Sequence, residues 1–307
     1  MDGYSLSDLF SIVVMQGFSG LSLFSVLLLM ALGLAIIFGQ MGVINMAHGE
    51  FMTIGAYTIY LTSKFTESYL PSFMPYYFIA AILASFVIAF GAGYLLEFLL
   101  IRHLYKRPLD TLLATWGLSL ILQQVFRSAF GAREVSATLP DWLMGSWKPT
   151  PSIDIPLNGL FVMAMSILVT GLVGLFLFKS KWGLKVRATT QNRIMAGAVG
   201  INTKMVDRVT FAIGCGIAGV AGACFTTIAS TGPTSGSLYI VDTFLVVVFG
   251  GTASLFGTIA SAFSIAQAQS ILTFFLTNAM GKVVTLLTII AILMMRPEGL
   301  LRSKVRR

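Results

Sequence analysis

Charged residues are scarce in this chain. They make up 10% of its 307 residues, whereas 56% are hydrophobic, and a soluble globular protein has about a quarter charged residues. This composition excludes a soluble fold, because too few charged groups remain to cover the apolar ones. Runs of roughly 20 apolar residues recur along the chain, which is the length that an α-helix needs to cross a bilayer. The sequence therefore predicts an integral membrane protein.

Cysteine is almost absent, and basic residues do not form one patch. Cys215 and Cys224 lie in one apolar run, so we expect two small buried side chains rather than a disulfide or a metal site. Glycines at residues 214–222 in the same run imitate a dinucleotide-binding motif, but small residues there favour close helix packing. The net charge is +8, yet lysine and arginine lie in loops between apolar runs, which argues against binding of nucleic acid.

Motifs for ATP and metal chemistry are also missing. Gly281-Lys282 is followed by Val283 instead of the Ser or Thr of a phosphate-binding loop, so we expect no ATPase activity in this chain. His48-x-Glu50 resembles the start of a zinc deaminase motif, but the Pro-Cys-x-x-Cys half is absent. We therefore predict that the chain is not an enzyme and binds no metal or cofactor of its own.

Nine apolar runs are candidates for transmembrane helices. They cover residues 9–38, 42–61, 77–101, 109–126, 160–178, 209–228, 238–250, 255–276 and 283–295. The first run is long and contains Gly17 and Gly20, so it is either one tilted helix or a re-entrant piece followed by a helix. The predicted fold is an all-α, polytopic membrane protein with about nine helices (eight to ten), some of them short or broken. No cleaved signal peptide and no internal repeat are predicted.

Basic residues indicate the orientation in the membrane. The loops at residues 102–110, 179–208 and 296–307 contain 15 of the 20 lysines and arginines. Basic loops are retained in the cytoplasm, so we expect these loops and the C-terminus inside and the N-terminus outside. The loop at residues 127–158 would then lie outside, where Trp142 and four prolines indicate an ordered cap or an interfacial aromatic anchor.

Three polar side chains interrupt the second apolar run. Asn45, His48 and Glu50 lie in otherwise apolar sequence, where an ionisable group costs about 3 kcal/mol or more unless protein or water shelters it. By helical spacing Asn45 and His48 share a face and Glu50 points elsewhere, unless Gly42 or Gly49 breaks the helix. Two interpretations stay open: these groups line a solute path, or they bond loops and partner subunits at the cytoplasmic end.

A fourth candidate, Asp242, lies in a short run at residues 238–250, after a turn rich in Gly, Pro and Ser. Short, glycine-bounded hydrophobic segments are typical of the discontinuous helices around transport sites. An acid near the start of a helix can instead stabilise the helix N-terminus. Both interpretations of Asp242 stay open.

The loop at residues 179–208 is the longest of the predicted cytoplasmic loops. Residues 187–199 can form a short helix that ends at Gly200. The helix would carry a narrow apolar stripe of Ile194, Ala198 and Ile201. Such a helix suits docking in a groove of another protein, whereas a basic loop at lipid headgroups is the alternative.

Three parts of the chain resemble the permeases of bacterial ABC importers for branched-chain amino acids and urea, and the resemblance spans nearly the whole sequence. They are Gly-Val-Ile-Asn-Met-Ala-His-Gly-Glu-Phe at 42–51, the loop pattern of Gly183, Arg187-Ala188, Asn192, Ala196 and Gly200-Ile201, and Met-Arg-Pro-Glu-Gly at 295–299. Residues 113–117, 190–193 and 239–251 look more like the urea-type permease than the leucine-type one. This favours urea as the solute, with a branched-chain amino acid as the alternative.

The resemblance implies a single transmembrane permease domain over residues 1–307 in the bacterial inner membrane. It implies as partners two ATPase subunits that bind ATP, a second homologous permease and an extracytoplasmic solute-binding protein. It also implies that the loop at residues 179–208 contains the coupling helix that docks into the ATPase. The coupling residues are then Arg187, Asn192, Arg193, Ala196, Gly200 and Ile201, and the solute-path candidates are Asn45, His48, Glu50 and Asp242. A stand-alone carrier or channel and an intramembrane enzyme are the other function classes.

Overall fold

A computed structural model describes residues 6–104, 107–150, 153–251, 254–296 and 299 of the chain. The helices are α1 (Leu6–Met41), α2 (His48–Tyr69), α3 (Tyr77–Leu96), α4 (Arg102–Leu104), α5 (Pro108–Phe130), α6 (Leu157–Lys179), α7 (Lys181–Gln191), α8 (Arg193–Ala198), α9 (Thr203–Phe225), α10 (Ser235–Gly250), α11 (Leu255–Phe275) and α12 (Asn278–Met295). A π-helical turn, Glu97–Ile101, joins α3 to α4, and β1 (Ser146–Thr150) pairs with β2 (Ile153–Pro156) in an antiparallel hairpin. Most of the basic C-terminal segment predicted to face the cytoplasm lies outside the described residues.

Six helical segments are long and apolar enough to cross a membrane. They are α1, α3 with its extension through α4, α5, α6, α9 and α11. α10 and most of α12 are apolar but shorter, and α2 carries charged residues. The prediction of a polytopic helical membrane protein is therefore confirmed. Each of the nine predicted runs overlaps a helix, while the number that cross the membrane stays a prediction.

α1 and α9 lie at the centre of the bundle. α1 is one continuous helix from Leu6 to Met41, so the alternative of a re-entrant piece in the first run is wrong. α9 is buried along most of its length, because its small residues at 214–222 let the backbones of α1, α2 and α3 approach closely. Cys215 and Cys224 are fully buried and free, as predicted.

The last residues of α1 and the π-helical turn after α3 meet the first turns of α9 at one end of the bundle. Gln40 donates from Nε2 to Asp207 Oδ1 at 3.0 Å, and Arg208 donates from Nε to Glu97 Oε2 at 2.9 Å. The loop formed by α7 and α8 lies at the same end, which we call the loop end. The described parts of the basic loops at residues 102–110 and 179–208 thus share one side of the bundle.

An ordered segment covers the other end, which we call the hairpin end because β1 and β2 lie there. Ser63 Oγ of α2 accepts a hydrogen bond from Thr138 N at 3.1 Å, and Trp142 donates from Nε1 to the carbonyl oxygen of Pro75 at 2.8 Å. Trp142 also packs edge-on against Phe161 of α6. Trp142 is therefore part of an ordered cap, in agreement with the first of the two interpretations.

The loop at residues 179–208 contains two helices where one was predicted. The single helix predicted over residues 187–199 is wrong because Asn192 adopts an extended backbone between α7 and α8. Its Oδ1 accepts a hydrogen bond from Met195 N at 3.0 Å and so caps α8. Gly200 has a φ of +88°, which favours glycine and ends the segment as predicted.

Candidate functional site

The second apolar run is a broken helix. After α1 ends at Met41, Gly42 turns the chain with a φ of +63°, and residues 42–47 return into the bundle without helical structure. His48, the first residue of α2, lies with Nε2 3.2 Å from the carbonyl oxygen of Met30. Met30 precedes the end of α1 by eleven residues, which corresponds to about 16 Å at 1.5 Å per residue. α2 therefore starts deep inside the bundle.

α10 starts against the first turn of α2. Gly236 N donates to Thr53 Oγ1 at 3.0 Å. A Cβ atom at Gly49 or at Gly236 would overlap the carbonyl oxygen of the other residue, so the two backbones can touch only because both residues are glycine. Two helix N-termini thus meet in the protein interior, as in transporters whose discontinuous helices surround a solute.

Asn45 and His48 are shielded where α2 starts, with 1% and 0% of each residue exposed. Asn45 Oδ1 accepts from Ala47 N at 3.1 Å. Since a carbonyl oxygen only accepts, His48 donates to Met30 through Nε2, and its Nδ1 is left as an acceptor. Neither His48 Nδ1 nor Asn45 Nδ2 has a hydrogen-bond partner among the residues that the structure describes.

Glu50 is 0% exposed and faces α5. Its Oε1 accepts hydrogen bonds from Ser119 Oγ and from Gln123 Nε2, both at 2.9 Å. Gln123 Nε2 also donates to Ser119 Oγ at 3.0 Å. The second carboxylate oxygen, Oε2, has no partner within the described ranges, and no lysine, arginine or histidine there forms an ion pair with it.

The polar partners on α5 were not recognised in the sequence. Thr111, Thr115, Ser119 and Gln123 recur at every fourth position, which places them on one face of the helix. Thr115 Oγ1 accepts from Met46 N at 3.1 Å and so helps to hold the non-helical segment before α2. The regular spacing in an otherwise apolar helix was the feature that could have revealed them.

Aromatic rings continue the contact between α2 and α5 toward the hairpin end. The Tyr57 ring stacks on Phe130 with 4.1 Å between centroids and contacts Phe126 at 5.4 Å. Tyr57 follows Glu50 by seven residues, or about 10 Å along α2. Polar and aromatic groups therefore form one continuous strip, the α2–α5 seam. It consists of Glu50, Tyr57, Thr115, Ser119, Gln123, Phe126 and Phe130.

Asp242 lies apart from these groups. It is six residues, about 9 Å along α10, beyond the point at which Gly236 touches α2. Its Oδ2 is 4.0 Å from Lys282 Nζ of α12, and its side chain is 19% exposed. As the eighth residue of α10, it does not cap the helix, so that interpretation is wrong.

The structure corrects the predicted arrangement of the first three candidates. Asn45 precedes α2, so the prediction that Asn45 and His48 share a helix face is wrong. All three contact their own chain deep in the bundle: Asn45 through Ala47, His48 through α1, and Glu50 through α5. They therefore do not bond to loops at the loop end, whereas bonding to partner subunits, the other part of the second interpretation, stays a prediction.

The predicted coupling residues lie on α7, at Asn192 between α7 and α8, on α8, and in the turn after α8. Arg193 forms an ion pair with the buried Asp207 of α9, while Ala196 is buried and accepts a hydrogen bond from Ile201 N at 3.0 Å. Arg187 lies on α7 with its guanidinium over the Phe178 ring. The ion pair between Arg193 and Asp207 holds α8 against the start of α9.

The outward surface of α8 is apolar. Ile194 is 84% exposed, and its neighbours Met195 and Val199 are exposed as well. Of the predicted stripe, Ile194 and Ala198 are exposed, whereas Ile201 lies beyond Gly200 and is half-buried. α8 is anchored to α9 through Arg193 and exposes apolar side chains on its outer surface. Such a helix has the properties of a docking element.

Comparison with known proteins agrees with this architecture. The family described as the permease component of branched-chain amino acid transport systems matches residues 17–293. The chain is 28% identical over 302 residues to the high-affinity branched-chain amino acid permease LivH of Salmonella typhimurium, covering 96% of this chain and 97% of the relative.

Two other relatives carry the same kind of name. The permease BraD of Pseudomonas aeruginosa is 28% identical over 292 residues, covering 92% of this chain and 94% of its own. A probable LivH protein of Methanocaldococcus jannaschii is 26% identical over 312 residues, covering 96% and 94%. No solved structure matches the chain significantly.

These names correct the preference for urea. They point to branched-chain amino acids, which the sequence had offered as the alternative, and no relative named here supports the urea type. The family match covers most of the chain, and its relatives are membrane permeases rather than enzymes. The chain therefore belongs to the family of permease components of branched-chain amino acid transport systems.

Proposed function

We propose that this chain is the membrane-spanning subunit of an ABC importer and that it conducts a branched-chain amino acid into the cytoplasm. The observation that carries the proposal is the meeting of α2 and α10 inside a member of this permease family. Near that point the buried atoms Asn45 Nδ2, His48 Nδ1 and Glu50 Oε2 have no hydrogen-bond partner in the described part of the chain, and such groups normally serve a solute or ion path in membrane proteins.

The solute path is proposed to run past Asn45, His48 and Glu50. All three are buried, so the structure corresponds to a closed state of this path. Asp242 belongs to the same path in this proposal, on the α10 side, where Lys282 balances its charge. The chain supplies hydrogen bonds and a route, and performs no covalent chemistry.

The loop end is proposed to face the cytoplasm, with nine membrane crossings, the N-terminus outside and the C-terminus inside. The two basic loops that lie together at this end support this orientation through the retention of positive charge in the cytoplasm. The membrane is the inner membrane of a bacterium, as the resemblance implies.

Energy is proposed to come from separate subunits. α8 docks into one of two ATPase subunits, which bind and hydrolyse ATP, through Ile194 and its exposed neighbours. Nucleotide-driven motion of α8 then passes through Arg193 and Asp207 to α1 and α9. A second homologous permease completes the membrane part, and an extracytoplasmic binding protein delivers the solute at the hairpin end.

Uptake by whole cells tests the solute. Bacteria that lack this chain are complemented with the wild-type gene or an empty vector, and uptake of radiolabelled leucine is measured. We expect the gene to restore uptake, excess isoleucine or valine to suppress it, and excess urea to leave it unchanged. Restored uptake of labelled urea without leucine uptake would instead support the urea-type assignment.

A further inference from the structure

Glu50 is a buried acid with no counter-charge among the residues that the structure describes. It is fully shielded, and within the described chain its neighbours on α5 are a hydroxyl and an amide. Neutral donors stabilise a carboxylate only in part, and an acid in a membrane helix normally has a partner. The other buried acids differ, because Asp207 pairs with Arg193 and Glu97 pairs with Arg208. Glu50 alone in this set lacks a basic partner from the described chain.

The hydrogen bonds to Glu50 leave one oxygen available. Ser119 and Gln123 both donate to Oε1, so they fix the plane of the carboxylate and leave Oε2 as an open acceptor. Gln123 is also bonded to Ser119, which makes the pair a rigid support. A ligand that binds Oε2 must therefore bring hydrogen-bond donors, and a positive charge would match the acid best.

An organic cation fits this position better than a metal ion. A metal ion needs several ligating side chains, and no group of three or more His, Cys, Asp or Glu side chains that could hold one occurs in the described residues. An ammonium group needs only a few acceptors.

We propose that Glu50 Oε2 receives the ammonium group of the transported α-amino acid, with Ser119 and Gln123 as positioning residues. This inference rests on the proposed function and identifies the group of the permease that distinguishes an amino acid from a solute without an amine. Urea can donate N–H groups to this carboxylate but brings no positive charge, so it would gain less from it than an ammonium group.

Competition binding to the assembled complex tests the proposal. Labelled leucine is bound to the permease–ATPase complex, and two analogues compete: 3-methylbutylamine, which has the ammonium without the carboxylate, and 4-methylpentanoate, which has the carboxylate without the ammonium. We expect the amine to compete at least tenfold better than the acid. We expect Glu50→Gln to weaken leucine binding at least tenfold and to abolish the preference for the amine.

Two further variants guard against a purely structural effect. Glu67→Gln removes an exposed acid on the same helix, which pairs with Lys64, and should change nothing. Glu50→Asp keeps the charge on a shorter side chain and should retain the preference for the amine with weaker leucine binding. If the permease–ATPase complex does not assemble with Glu50→Gln, the test rests on Glu50→Asp. Leucine binding by Glu50→Asp at the wild-type level would then overturn the proposal.

Several results would contradict this inference without touching the proposed function. They are equal competition by the two analogues, unchanged leucine binding in Glu50→Gln, and the absence of saturable leucine binding to a complex that does transport leucine. A wild-type complex that fails to transport any branched-chain amino acid would contradict the proposed function itself.

Discussion

Gly49 and Gly236 bring the starts of α2 and α10 together, and a methyl group is enough to separate them. In Gly49→Ala the new Cβ would overlap the carbonyl oxygen of Gly236. We expect the thermal unfolding temperature of the purified complex to fall by several degrees and leucine uptake to be lost. Thermal unfolding and uptake are measured on the same preparation.

A glycine in open space provides the control for this substitution. A Cβ atom added at Gly171 of α6 would meet no side chain and no neighbouring helix within 4 Å. Gly171→Ala should therefore be neutral or slightly stabilising, because alanine favours a helix by about 1 kcal/mol over glycine. Equal unfolding temperatures for Gly49→Ala and Gly171→Ala would show that the contact between α2 and α10 is not tight.

Sequence alone pointed to the rare residues of the candidate site and missed their common neighbours. Asn45, His48 and Glu50 stand out because each is costly in an apolar run. Ser119 and Gln123 do not stand out in the same way, since small polar side chains occur widely in membrane helices. Their role depends on which face of α5 meets α2, and this is a property of the packing.

At the scale of elements, apolar length predicted where helices lie but not where they break. The run at residues 42–61 is apolar on average despite Asn45, His48 and Glu50, so mean hydropathy cannot show that α2 starts only at His48. Gly42 was one of two glycines that suggested a break in the helix, and its φ of +63° confirms a turn there. Gly49, the other suggested break, lies inside α2 and serves the contact with α10 instead.

The buried Asp207 ties α8 to the rest of the bundle. It pairs with Arg193 of α8 and accepts from Gln40 of α1 at 3.0 Å. In Asp207→Asn the charge that holds Arg193 is lost, so motion of α8 should reach α1 less well. We expect ATP hydrolysis to continue while leucine transported per ATP falls severalfold, measured in proteoliposomes.

An exposed ion pair provides the comparison for Asp207→Asn. Asp110 pairs with Arg107 at 3.5 Å, with side chains 48% and 76% exposed, and such a pair contributes little. Asp110→Asn should keep the wild-type ratio of transport to hydrolysis. If Asp207→Asn and Asp110→Asn transport the same amount of leucine per ATP hydrolysed, Asp207 does not transmit the motion of α8.

The exposed apolar surface of α8 can be tested separately from its anchoring. Ile194 is 84% exposed, so Ile194→Glu should leave the fold intact and place a charge in the docking surface. We expect the ATPase subunits to be lost from the purified complex. Leu70, which is 51% exposed beyond the other end of α2, is the control: Leu70→Glu should retain them. Full copurification with Ile194→Glu would exclude docking through this surface.

At the scale of the whole molecule, composition was sufficient to predict the class of protein, whereas the solute required comparison of the full chain. Short segments such as residues 113–117 suggested the urea type, yet relatives matched over more than nine tenths of the chain are named for branched-chain amino acids. Residues 113–117 include helix positions such as Leu113 and Trp116 that face outward, so similarity at those two positions carries little information about a solute inside the bundle.

The sheltered polar path in this chain should work only when separate ATPases act on the loop end, and every proposal above depends on this coupling. Uptake of radiolabelled leucine into proteoliposomes tests it most directly, with this chain alone or with its second permease, ATPases and binding protein, each with and without ATP. We expect leucine accumulation only in the complete system with ATP. Accumulation at the full rate by this chain alone, without nucleotide, would contradict the coupling.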